Sequence, residues 1–152
     1  MGTADDLRDD IEVAAAAFLA TLDGRDLEAP TPSGWTVKEM VAHVAFWLET
    51  TPPFVTGAFR GDESAFEVTF PSGFVPSDDG AWPPADVHNA REAAWAREQA
   101  PDVVVQRLRE AHRRLGEFLV TVTDEEASEH ADYYRDIAHH LDAHRIAELA
   151  DP

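Results

Sequence analysis

Apolar residues recur at helical spacing in four long stretches of the chain, most of them bounded by start or stop signals. Leu7, Ile11, Ala14 or Ala15, Phe18 and Leu22 form one stripe, which predicts a first helix from Thr3 to Leu22, ended by Asp23-Gly24. The Pro- and Gly-rich stretch Ala29–Gly34 reads as a loop. Thr36-Val-Lys-Glu39 has the form of a capping box, with Glu39 reaching back to the N-cap and Trp35 placed to staple onto Met40. Val37, Met40, Val41, Val44 and Leu48 carry this second helix to about Thr50, where Pro52-Pro53 is expected to stop it. A third helical segment spans Asp86 to about Gln99. Pro101 then opens a continuation, or a separate helix, with the stripe Val104, Leu108, Ala111, Leu115, Phe118 and Val122. Acidic residues Asp124, Glu125, Glu126 and Glu129 fill the connection to a last helix over Asp132–Leu149. The expected fold is all-α, a four-helix bundle in which the helices joined by short connections, first to second and third to fourth, lie antiparallel.

Residues 51–84 break the pattern. Gly and Pro punctuate them, yet Phe54, Phe59, Phe66, Phe70, Phe74 and Trp82 populate them, so this stretch is expected to be an irregular crossover between helices 2 and 3. That many aromatics favour packing over disorder and make the segment a candidate pocket wall. Glu67–Phe70 has the pattern of a short strand, marginal on its own.

Composition narrows the function. The chain of 152 residues is expected to form one domain with a sizeable core. The net charge of −18 argues against a nucleic-acid partner, which needs clustered Lys and Arg. No apolar run has the roughly 20 residues needed to span a bilayer, and acidic residues near the start do not suit a signal peptide. The expectation is a cytoplasmic protein with a small-molecule substrate and no membrane partner. Cysteine is absent, so any thiol chemistry needs a sulfur that arrives on a small molecule.

The candidate chemistry lies in histidines. His140 and His144 are spaced i, i+4, so both leave one helix face, the apolar stripe shared with Tyr133, Ile137 and Leu141. His43 sits at the edge of the second helix's apolar stripe, between Met40 and Trp47. Imidazoles aimed at a core need partners, and one divalent ion satisfies several at once. Position 141 is Leu, so the H-E-x-x-H pattern of zinc peptidases is not met. The other histidines read as ordinary: His88 and His130 as surface residues, His112 as a structural one, His139 as exposed or interfacial. Trp47, Trp82, Asn89 and Trp95 are pocket candidates, and Glu39 and Asp136, each one turn before a ligand, are candidate acceptors for the imidazoles. No catalytic residue is singled out.

Gly34-Trp35-Thr36-Val-Lys-Glu-Met-Val-Ala-His43-Val-Ala-Phe-Trp47, together with Ile137-Ala-His-His140-Leu-Asp-Ala-His144-Arg145, resembles the DinB/YfiT-like superfamily of four-helix-bundle proteins. Asn89-Ala-Arg91, Val104, Leu108-Arg109, Ala111-His112 and Leu115 are similar to its ClbS/DfsB-like branch. The resemblance implies a metal triad of one histidine in helix 2 and an i, i+4 pair in the last helix, here His43, His140 and His144. It also implies a homodimer and, in some branches, transfer or isomerisation with a low-molecular-weight thiol such as mycothiol or bacillithiol. Three neutral imidazoles leave an ion with open positions, a catalytic rather than a closed arrangement. Zinc is the first choice, with nickel, iron or manganese also compatible with imidazole. The leading expectation is therefore a metal-dependent thiol S-transferase. The alternatives are a metal-dependent or ClbS-like hydrolase of a reactive small molecule, and a non-catalytic binding or stress-protection module.

Overall fold

The computed structural model describes residues 2–61 and 85–149. Among these the chain forms six helices: α1 (Thr3–Thr21), α2 (Val37–Arg60), α3 (Ala85–Arg97), α4 (Pro101–Leu119), α5 (Asp124–Glu129) and α6 (Ala131–Leu149). Four of them close a ring, in which α1 packs on α4 and α6 while α2 packs on α4 and α6. Helix α3 lies against α2, and α5 against α1 and α6. This is the expected four-helix bundle, and the break at Pro101 resolves into two helices, with the proline in the first turn of α4. The helices joined by the shorter connections are not the main packing partners. Chain from 22 to 36 has ample reach to carry α2 to the far side of α1, at roughly 3.3 Å per extended residue.

The predicted stripes form the core. Leu7, Ile11 and Phe18 of α1 meet Met40, Val41, Val44 and Leu48 of α2, Leu108 and Leu115 of α4, and Ile137 and Leu141 of α6, all buried. Short supports hold the helix ends. Lys38, buried at the start of α2, donates to Glu28 at 2.8 Å and to the Gln99 carbonyl at 2.9 Å, which ties the loop before α2 to the end of α3.

Helix α2 departs most from expectation, because it runs through Pro52-Pro53 to Arg60. Each proline removes one backbone donor and strains the preceding turn. The turns beyond are fixed by tertiary contacts: Thr56 Oγ1 bonds the buried Tyr134 hydroxyl at 2.8 Å, and Phe59 stacks on His130 at 3.6 Å between ring centroids. Arg60 grips Glu126 through two bonds at 2.6 and 3.0 Å. The helix ends at Gly61, whose φ of 71° is left-handed and suits glycine. Residues 51–60, expected to be irregular, are thus helical. Phe66, Phe70, Phe74, Trp82 and the Glu67–Phe70 segment lie outside the described residues.

Caps also differ from the pattern read in the sequence. Thr36 accepts from the Glu39 amide at 3.1 Å, but the Glu39 carboxylate turns to Arg97 at 3.5 Å, so only half of that box forms. The complete box is at Thr123, whose hydroxyl accepts from the Glu126 amide while the Glu126 side chain accepts from the Thr123 amide, each at 3.1 Å. It starts α5, a helix hidden in what looked like acidic connecting chain.

Candidate metal centre

Helices α2 and α6 run antiparallel, and His43, Trp47, Thr56 and Phe59 descend one side of their seam opposite His144, His140, Tyr134 and His130. One ligand nitrogen from each of His43, His140 and His144 lies within 4.8 Å of the others. Two nitrogens on one tetrahedral zinc ion stand about 3.4 Å apart, given Zn–N bonds of 2.0–2.1 Å, so modest side-chain rotation gathers all three. The ring centroids are 5.8 Å apart for His43 and His140, 4.9 Å for His43 and His144, and 4.6 Å for His140 and His144. Trp47 stacks on the face of His140 at 4.0 Å and leaves the ring's edge, where its nitrogens are, free. Trp35, expected to staple onto Met40, lies with its ring 5.4 Å from that of His43.

Burial keeps these imidazoles neutral. It lowers the His43 pKa to about 4, helped by neighbouring His144, and that of His140 to about 3, helped by His144 and His43. His144 is lowered too, by burial, with Glu148 pulling the other way. Neutral imidazole is the form that binds a metal. His140 Nδ1 is buried without a hydrogen-bond partner, the kind of unsatisfied atom that an ion or water completes. The donor set therefore fits a divalent metal, with positions left open for a second molecule.

The acceptor for an imidazole is neither of the two carboxylates suggested by sequence. Asp136 is exposed and faces His139 at 3.6 Å, and Glu39 is taken by Arg97. Asn89 Oδ1, from α3, meets His43 Nδ1 at 2.9 Å. Of the other pocket candidates, Trp47 is at the site, Trp82 lies outside the described residues, and Trp95 lies under the Arg107 guanidinium at 4.7 Å. Two histidines read as surface residues are more enclosed than that, His88 fully and His130 partly. His88 is buried beside Phe46 with ring centroids 5.0 Å apart, and His130 stacks on Phe59. His112 bonds Glu12 at 2.8 Å and His139 is exposed, as expected.

A second buried polar cluster went unnoticed in the sequence. Arg107 of α4 holds Glu49 of α2 through two bonds, at 2.6 and 3.1 Å, and Glu92 of α3 through one at 2.7 Å. Burial raises the Glu49 pKa and Arg107 opposes the rise; burial also works against charge on Arg107, but the carboxylates outweigh it. Spacing hints that two of its members are buried but does not identify their partners. His88, Glu92 and Ala96 repeat at i, i+4, i+8, and Arg107 interrupts the stripe between Val104 and Leu108.

Fold and site together define a helical bundle with a three-histidine candidate metal centre, the architecture of the DinB/YfiT-like superfamily. Within it, the chain belongs to the mycothiol maleylpyruvate isomerase N-terminal domain family, whose profile matches residues 8–148. Comparison with curated proteins and with solved structures gives no match. No helix among the described residues is long and apolar enough to cross a membrane.

Proposed function

We propose that the chain is a metal-dependent enzyme that joins a low-molecular-weight thiol, such as mycothiol, to a small electrophile. His43, His140 and His144 hold the ion, zinc in the first instance. The observation that carries this reading is the convergence of three neutral imidazoles from two helices, with His140 Nδ1 unpaired, in a family named for a mycothiol-linked isomerase. When bound, the metal supplies a Lewis acid that favours the thiolate form of a thiol beside it. The chain's own part is to present uncharged donors, to shield them with Trp47 and Trp35, and to leave room for the incoming sulfur. The sulfur has to come from outside, since the chain has no cysteine. In the reaction the thiol's S–H bond would break and its proton pass to solvent; sulfur would bond one carbon of an activated carbon–carbon double bond, whose π electrons move to the neighbouring carbon, and that carbon takes a proton back from solvent. A thiol that is expelled again yields isomerisation rather than transfer.

Product analysis of the zinc-loaded protein, with mycothiol and electrophiles that include maleylpyruvate, tests the proposal. Product that requires both thiol and metal supports it. Product formed equally well without thiol marks a hydrolase, and binding without turnover for any metal marks a binding module. Either outcome overturns the reading.

A further inference from the structure

The Asn89 contact and the buried charge cluster belong to one device. A side-chain amide oxygen cannot donate, so at 2.9 Å from Asn89 Oδ1 the His43 Nδ1 carries the proton and Nε2 carries the lone pair. A ligating histidine commonly has its other nitrogen held in this way, which fixes both tautomer and ring orientation. Asn89 is delivered by α3, whose main packing is against α2 and whose pattern is only weakly amphipathic. One turn further along α3, Glu92 is fully buried and bonded to Arg107 of α4 at 2.7 Å. Arg107 is in turn clamped to Glu49 of α2 through two bonds, at 2.6 and 3.1 Å, and lies 4.7 Å over the Trp95 ring. The three side chains thus lock α3 to α2 and α4 at a point one turn from the amide that meets His43.

We propose that Asn89 is a positioning residue for the metal, holding His43 as the Nδ1–H tautomer, and that the Glu49–Arg107–Glu92 cluster acts on the metal through it by fixing α3. The inference rests on the reading of the triad as a metal site. It gives a role to a charge cluster that touches none of the three histidines. Arg107 thereby becomes a determinant of metal affinity placed on a helix that carries no ligand.

Two measurements test it. Nitrogen-15 imidazole shifts of the metal-free protein report the His43 tautomer, and competition with a chromophoric chelator gives the zinc dissociation constant. Asn89→Leu should lose the Nδ1–H preference and bind zinc roughly 10–100-fold more weakly. Asn89→Asp keeps an acceptor and should stay within a few-fold of the parent. Glu92→Gln, milder than removal of Arg107, should keep the helix content and weaken zinc binding by roughly three- to tenfold, a part of the outer-partner effect. An Asn89→Leu protein with the parent tautomer and an unchanged constant overturns the role of Asn89. An unchanged constant and tautomer in Glu92→Gln overturns the role of the cluster. If the parent takes up no zinc, the triad reading fails, while the tautomer comparison still decides whether Asn89 orients His43.

Discussion

Two buried polar clusters draw on α2, and they are finished in opposite ways. Around Arg107, two carboxylates and a guanidinium satisfy one another within the protein. Around His43, three imidazoles are neutral by burial, and one of their nitrogens has no partner. The first cluster is closed in that it is partnered from within the protein, with Arg91 also on Glu92 at 3.3 Å; the second is open, keeping an unpaired nitrogen that an ion or a water would satisfy. Burial alone therefore does not mark a functional site. The informative property is the convergence of several ligand atoms, one of them buried and unpaired.

The sharpest way to break this contrast is to open the closed cluster. Arg107→Met leaves the buried Glu49 without its bonded counter-charge and takes from Glu92 the shorter of its two arginine contacts, the other being Arg91 at 3.3 Å, and should cost about 3–5 kcal/mol in denaturant unfolding. Replacing all three residues together with apolar side chains of similar volume should cost far less. A single variant as stable as the parent would show that the cluster is not closed in the sense argued here.

Acid should distinguish the clusters next. His43 and His140 have folded pKa values of about 4 and about 3 against an ordinary 6.5, so the unfolded chain binds more protons between those limits. In chelator-treated protein their contribution is fully present above about pH 6.5. It is lost as pH falls toward 4, at up to roughly 1.4 kcal/mol per pH unit for each histidine. Thermal unfolding across this range checks the direction, and His43→Asn or His140→Asn should flatten the slope.

A smaller version of the contrast sits in two adjacent residues. Tyr134 bonds Thr56 at 2.8 Å, whereas the Tyr133 hydroxyl is buried with no partner. Tyr134→Phe should cost about 1 kcal/mol, and Tyr133→Phe should be neutral or stabilising, because it removes an unsatisfied buried group. Equal losses would remove the distinction.

The open cluster was legible in the sequence and the closed one was not, for a physical reason. His140 and His144 are local, and helical periodicity alone places them on one apolar face with a matching histidine on a second stripe. Glu49, Glu92 and Arg107 come from three helices, and each looks like a solvated charge until the partners are in view. Asn89 stood out as a pocket candidate, yet its partner could be known only once α3 was placed on α2. The four stripes set the bundle correctly. Local stop signals misled at Pro52-Pro53, where contacts of Thr56, Phe59 and Arg60 with α5, α6 and the turn between them outweigh two missing backbone bonds. The half-formed box at Thr36 failed similarly, since Arg97 lies within reach of Glu39.

The central claim is that the histidine cluster is completed by a metal. The most direct test is elemental analysis of the parent and the His140→Ala variant, both purified without a metal-affinity column and dialysed against dilute zinc. The account predicts one equivalent of metal per chain in the parent, and loss of stoichiometric metal from a variant that remains folded. A metal-free parent, or a variant that keeps its full equivalent, would contradict it.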